Sequence, residues 1–201
     1  MQISHYLNRL ASDHPTPGGG SASAFAGALA AALISMTAGL SVGRGRLGKD
    51  EVAKIRRTAS SIRKRLFLAI EEDARFYERV LKAYHLPQET EKERFHRSRV
   101  LQKAYEKTTA TPRRVCDACL PLLEFSRVLI SKGNPNARSD AGVAALLANA
   151  ALEGGLMNIK VNLRFIRDRA FVSGMETLMK QTARRRHALM KPILRRLEET
   201  C

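Results

Sequence analysis

Two short stretches of this 201-residue sequence gather more polar and backbone-permissive residues than a simple turn needs. The first, Pro15-Thr16-Pro17-Gly18-Gly19-Gly20-Ser21-Ala22-Ser23, leads into a long apolar run. A glycine-rich turn at a helix N-terminus offers free backbone N–H groups and the positive end of the helix dipole, which suits an anionic or developing-anion group on a ligand. The Lys-Ser/Thr ending of a P-loop and the spacing of a dinucleotide fingerprint are both missing, and a tight structural turn explains the glycines equally well. The second stretch, Gly133-Asn134-Pro135-Asn136-Ala137-Arg138-Ser139-Asp140-Ala141-Gly142, sets two amides, a hydroxyl and a carboxylate ahead of a small-residue helix. Capping by Ser139 or Asp140, with Asn136 in an Asx turn, accounts well for one such residue and less well for four.

Helical periodicity supplies the elements that must position these stretches. Ile3, Tyr6, Leu7 and Leu10 share one stripe of a short helix, which the prolines and glycines of residues 15–20 stop. Ser21 is the expected N-cap of a helix over residues 21–42 that is apolar on every side. Further helices are expected over residues 49–85, 91–109, 115–131 with Pro112 near its start and Gly133 as its stop, and 141–165, followed by a basic helix from about 168 to 197. No segment alternates with period two, Trp is absent and aromatics are 5% of residues, so a sheet is poorly supported. The expected fold is all-α, a bundle of six to seven helices in one domain over residues 1–201. The helix over 21–42 is long enough for a bilayer, but it is Ala-rich, with Gly27, Gly39, Ser23, Ser35, Thr37 and Ser41. It is therefore expected to be buried in the bundle or at a subunit interface, with no membrane span.

Thirty-five Lys and Arg against nineteen Asp and Glu give a net charge of +16, which favours polyanionic partners. The cations concentrate in residues 44–114 and 163–201 and read mainly as solvated helix faces. Arg184-Arg185-Arg186 has no interleaved aromatics and no binding motif, so nucleic acid is disfavoured as a partner, though a basic helical nucleic-acid-binding protein is the alternative outside enzymology. Cys116 and Cys119 form a C-x-x-C without a second pair, so they are expected to be idle buried thiols in a reduced cytoplasm rather than half a metal site. His5, His14, His85, His96 and His187 are scattered, and the segment opening with Met1 does not read as a signal peptide.

The strings running from Pro15 to Ala24 and from Asn134 to Val143, with Asn158-Ile159-Lys160-Val161-Asn162 and Glu72-Asp73-Ala74, closely resemble the cyclodeaminase/cyclohydrolase family. The resemblance implies an all-helical, homodimeric enzyme acting on folate one-carbon adducts, with a tetrahydrofolate derivative as substrate and no tightly bound cofactor or metal. The activity it implies is hydrolysis of 5,10-methenyltetrahydrofolate to 10-formyltetrahydrofolate, with 5-formiminotetrahydrofolate cyclodeamination as the alternative. Either reaction passes through a tetrahedral carbon between N5 and N10 and needs a group that moves protons. Asp140 is the leading acid/base candidate and Asp73 the second, although beside Glu71 and Glu72 it also reads as part of a solvated acidic patch. Gly18, Gly19, Gly20, Ser21 and Ser23 are candidates for holding the pterin or the reacting carbon. Asn134, Asn136, Ser139, Asn158 and Asn162 offer donors and acceptors for a pterin edge. Arg44, Arg46 and Lys49 are candidates for the glutamate tail, which is expected to be polyglutamated. The Arg-rich composition, Arg44 and Arg46 included, and the basic C-terminal helix depart from the family pattern.

Overall fold

The computed structural model describes residues 2–199. Among them are seven α-helices and one 3-10 turn, without a strand: α1 (Ile3–Leu10), α2 (Gly19–Leu40), α3 (Lys49–Tyr84), α4 (Glu91–Thr108), α5 (Ala110–Lys132), α6 (Arg138–Leu163) and α7 (Arg169–Glu198), with the turn at Pro135–Ala137. The expected all-α bundle is what forms. Helix α2 runs through its middle, packing mainly against α3 and α6 and less against α5, while α6 also packs on α5. One apolar core joins them, with Ile34, Ile62, Leu66, Leu122, Leu152 and Ile159 fully buried. Helix α4 contributes little to it, and Tyr105 is its main anchor, stacked on Phe165 with ring centroids 4.8 Å apart.

Several helix starts differ from the sequence expectation, each for a local reason. Gly18, not Ser21, is the N-cap of α2; Ser21 lies inside the first turn and is buried. Helix α6 begins at Arg138 with Ala137 as N-cap, so neither Ser139 nor Asp140 caps it. The Asx turn belongs to Asn134, whose Oδ1 accepts from the Asn136 N–H at 3.0 Å. Helix α5 starts at Ala110, which leaves Pro112 in the first turn, where a missing N–H costs nothing. Helix α4 carries an unforeseen capping box: Thr90 Oγ1 accepts from the Glu93 N–H and Glu93 Oε2 from the Thr90 N–H. The chain leaves α2 through Gly43, whose φ of +67° favours glycine.

The bundle depends on small residues where helices approach. A Cβ on Gly27 would stand 2.9 Å from Leu66 Cδ1 and 3.2 Å from Cys119 Sγ, and one on Gly155 2.7 Å from Cys116 Sγ. On Gly154 it would collide with the Ser23 side chain. Contacts of Gly19 with Asn158, Ser23 with Gly154 and Gly27 with Ala151 show α2 and α6 running antiparallel. By length and composition α2 and the segment Pro135–Leu163 could each cross a membrane, so the expectation of no span does not follow from composition; half of each apolar window is buried in the bundle.

Gly155→Ala is expected to destabilise the fold by about 1–3 kcal/mol through overpacking. Gly174→Ala, where nothing lies within 4 Å on α7, should be neutral or stabilise by up to about 1 kcal/mol through helix propensity. Urea unfolding of both variants beside the parent chain checks this; equal stabilities would mean that the helices do not depend on the glycine contact.

Candidate active site

The glycine turn, the start of α2 and the middle of α3 meet. Asp73 extends from α3 so that its carboxylate lies against the backbone of Gly20, where any Cβ would collide with it. Only glycine leaves room for this approach. The Ser21 backbone N–H donates to the same carboxylate, as a free donor in the first turn of a helix can. Burial raises the pKa of Asp73 above the ordinary carboxylate value, and the Ser21 bond opposes this only in part. Glu71 and Glu72 point elsewhere: Glu71 pairs with Arg75 at 3.5 Å and Glu72 with Arg114 at 2.5 Å. The acidic triplet is therefore not one solvated patch, because successive helix positions face different directions.

Around Asp73 the other side chains set the shape of the turn. Ser21 Oγ is hydrogen bonded to the Tyr6 hydroxyl at 3.1 Å, which ties α1 to α2. Ser23 Oγ donates to Gly19 O at 2.7 Å. Asn158 donates to Gly154 O at 2.7 Å, and its Nδ2 lies 3.8 Å from the Cβ position of Gly19. Gly18 and Asn158 are half-buried and Gly19 is exposed, so this end of α2 opens to solvent. Asn162 is one turn further along α6, donating to Thr108 O at 3.3 Å. Tyr6 is the residue that pattern reading missed; its place on the apolar stripe of α1 marked it only as core.

The second stretch lies at the opposite end of α2. Buried Asn134 donates from Nδ2 to Leu40 O at 2.9 Å and from its backbone N–H to Ser41 Oγ at 2.9 Å, closing the C-terminus of α2. Its amide is thus used within the chain. Asn136 and Ser139 are exposed and Asp140 is half-buried in the first turn of α6. Arg44, Arg46 and Lys49 are exposed at this same end, where the Arg46 N–H donates to Lys132 O at 2.7 Å. Twenty-two helical residues, about 30 Å, separate the Asp140 end from the Asp73 end within one chain. The predicted site residues thus form two groups.

Among the described residues no set of three His, Cys, Asp or Glu side chains could hold a metal ion. Cys116 and Cys119 are buried, as expected; burial pushes the Cys116 thiol up to about 12 and that of Cys119 further still, so neither is a nucleophile at neutral pH. Cys201 lies outside the described residues.

A family model described as formiminotransferase-cyclodeaminase matches residues 2–181. The chain is 36% identical over 171 residues to a methenyltetrahydrofolate cyclohydrolase of Methylorubrum extorquens, covering 84% of this chain and 82% of that one. It is 30% identical over 169 residues to a formimidoyltransferase-cyclodeaminase of Sus scrofa, covering 83% of this chain but 31% of the longer protein. The fold is similar to the crystal structure of a formiminotetrahydrofolate cyclodeaminase from Thermotoga maritima, with a TM-score of 0.86, 26% identity and coverage of 99% and 96%.

The raised pKa of Asp73 gives a stability test. The folded state holds its proton to higher pH than the unfolded chain, so in that interval the folded state binds more protons and stability falls as pH rises. Asp73→Asn removes this loss. Its melting temperature relative to the parent is expected to climb from pH about 4 to pH 7. A gap that shrinks over the same range would show that the carboxylate is not desolvated.

Proposed function

The chain belongs to the formiminotransferase-cyclodeaminase family, and from that premise we propose that it hydrolyses 5,10-methenyltetrahydrofolate to 10-formyltetrahydrofolate in one-carbon metabolism. The observation that carries this reading is a partly desolvated carboxylate, Asp73, held against the glycine-lined start of α2 in a chain similar over most of its length to a cyclohydrolase. The carbon bridging N5 and N10 is an amidinium and accepts a nucleophile. A water bonded to a carboxylate attacks it while the carboxylate takes the water proton, leaving a tetrahedral carbon bearing hydroxyl. The carboxyl group returns that proton to N5, the hydroxyl gives up its own proton to the carboxylate so regenerated, the C–N5 bond breaks as the C=O forms, and the formyl group stays on N10 while the carboxyl group releases the extra proton to solvent. A carboxylate whose pKa is raised by burial is a stronger base once ionised than an exposed one. The free N–H groups of the glycine turn are suited to the oxygen on which charge develops.

In this reading Asp73 and Asp140 are the proton-moving candidates, and Gly18, Gly19, Gly20, Ser21, Ser23, Asn158 and Asn162 surround the pterin and the reacting carbon. Asn136 and Ser139 serve the Asp140 end, while Asn134 acts through the shape of its turn. Arg44, Arg46 and Lys49 take the glutamate tail. The enzyme works as a cytoplasmic homodimer without a tightly bound cofactor. The similarity to the Thermotoga maritima protein favours a second activity, in which N10 attacks a formimino carbon and ammonia leaves. Decay of methenyl absorbance and, separately, ammonia release from 5-formiminotetrahydrofolate test the two; activity with neither substrate overturns the reading.

Two expectations follow. Asp73→Asn and Asp140→Asn should each stay folded and lose about 10² to 10⁴ in turnover, measured beside the melting temperature; near-normal turnover in either removes that residue from the chemistry. Polyglutamylated substrate should have a lower KM than monoglutamate, with the advantage eroding as salt is raised from low ionic strength. Equal KM values at low salt would leave Arg44, Arg46 and Lys49 without that role.

A further inference from the structure

Three of the chain's four tyrosines gather on the side of the bundle where Asp73 stands. Tyr77 and Tyr84 lie about 40° and 20° from Asp73 around α3, so the three share one face of that helix. Tyr105 of α4 meets them: its hydroxyl is hydrogen bonded to that of Tyr84 at 2.8 Å, and its ring stacks on Phe165 just past the end of α6. One turn beyond Tyr105, Thr108 O accepts from Asn162, and Asn158 of the same helix lies beside Gly19. The contacts therefore run from the glycine turn through α6 and α4 to α3 and close on Asp73. The rings in this circuit are not equivalent. Tyr84 holds the Arg97 guanidinium over its face, 5.5 Å from the ring centroid, and Tyr105 and Phe165 hold each other, so these three brace the junction of α3, α4 and α6. Burial first, then the bond to Tyr84 and the nearness of Tyr84 and Tyr77, raise the pKa of the Tyr105 hydroxyl, which keeps it neutral. Tyr77 is 41% exposed and, among the described residues, has no hydrogen bond and no ring or cation partner. It stands one helical turn from Asp73, about 5–6 Å away at the Cβ atoms.

We infer that Tyr77 determines specificity for the charge of the substrate: its free ring face lies against the N5–C–N10 amidinium and favours that cation over the neutral 10-formyl product. This rests on the proposed function, which supplies the amidinium. A cation is attracted to the negative face of an aromatic ring, the more so as the pair is desolvated. The chain carries +16 overall, and Glu71 and Glu72 are each paired with an arginine, so few groups near the glycine turn favour a positive centre. Asp73 does, but it gives up its charge whenever it takes the water proton. The ring keeps its quadrupole throughout and competes for no proton. Attack by water removes the positive charge, so the attraction belongs to the bound substrate, fades towards the transition state and is absent from the product. Tyr77 is therefore a positioning residue whose effect falls on KM and not on kcat.

Tyr77→Leu keeps an apolar side chain without a π face. It is expected to raise the KM for 5,10-methenyltetrahydrofolate about 2- to 30-fold with no fall in kcat, while the inhibition constant of 10-formyltetrahydrofolate stays at the parent value. Tyr77→Phe keeps the ring and should match the parent in all three. An unchanged KM in Tyr77→Leu, a KM and inhibition constant that rise together, or a Tyr77→Phe chain no better than Tyr77→Leu overturns the proposal. A second measurement needs neither turnover nor the leucine variant. The chain has no Trp, so its ultraviolet emission comes from the tyrosines. Hydrolysis releases a proton, so in mildly acidic buffer the methenyl cation persists beside active enzyme. There it should quench the tyrosine emission of the parent, and by a smaller amount that of Tyr77→Phe; equal quenching in the two chains overturns the proposal. A parent chain without methenyl turnover that still shows Tyr77-dependent quenching would defeat the proposed function and leave this inference standing. Normal turnover with a KM indifferent to Tyr77 would defeat the inference alone, and the absence of both turnover and quenching would defeat both.

Discussion

The close approach of α2 and α6 is the constraint on which the rest depends. Two helices built from Ala, Gly and Ser bury little apolar area per residue, so they hold a bundle together only where their backbones come near enough for dense contact. Gly154 beneath Ser23, Gly155 beneath Cys116 and Gly27 beneath Leu66 allow that approach. The larger side chains of α3 and α5, such as Leu66, Leu122 and Leu123, then fill the space around the pair. With α2 pinned at the centre, both of its ends become reference points. Its N-terminus receives a carboxylate from α3, and its C-terminus receives the turn that starts α6.

The N-terminal end uses the same economy of space. Asp73 reaches the backbone of α2 because Gly20 has no side chain, and it stays partly out of water because α3 packs along α2. Burial disfavours its charge while a helix N–H favours it, so the group is held between two opposed effects. A carboxylate on an exposed helix face feels neither. Glu71, two residues away in sequence but about 160° away around the helix, pairs with Arg75 in solvent.

Membership in the formiminotransferase-cyclodeaminase family and folate one-carbon chemistry fit this arrangement. The reaction asks for a proton acceptor beside an electrophilic carbon and for hydrogen-bond donors near a developing charge, and the α2 N-terminus offers both. The basic surface makes sense beside it as a charge field for an anionic substrate, since most of the cations lie on the outer helices and leave α2, and α6 between Asp140 and Glu153, free of charge.

Much of the fold was legible from the chain alone, because helical period and helix-stopping residues are local properties. The seven helices, the apolar character of α2, the turns at residues 15–18 and 133–137, and the idle cysteines all follow from near neighbours in sequence. Helix ends moved by a few residues where a backbone group found another partner, as at Gly18 and Ala137. The motif strings also carried the folate-enzyme resemblance, since they are runs of adjacent residues. Which carboxylate meets the glycine turn was not legible there: Asp140 led as the residue beside the more polar turn, whereas α3 packing on the start of α2 sets Asp73 against Gly20. Nor was the separation of the two polar stretches, which depends on α2 and α6 lying antiparallel. Sequence determined the helices and their chemical content, because those depend on spacing along one chain. Only tertiary structure decided which polar groups meet and which are dried, because that depends on helices far apart in sequence excluding water from one another.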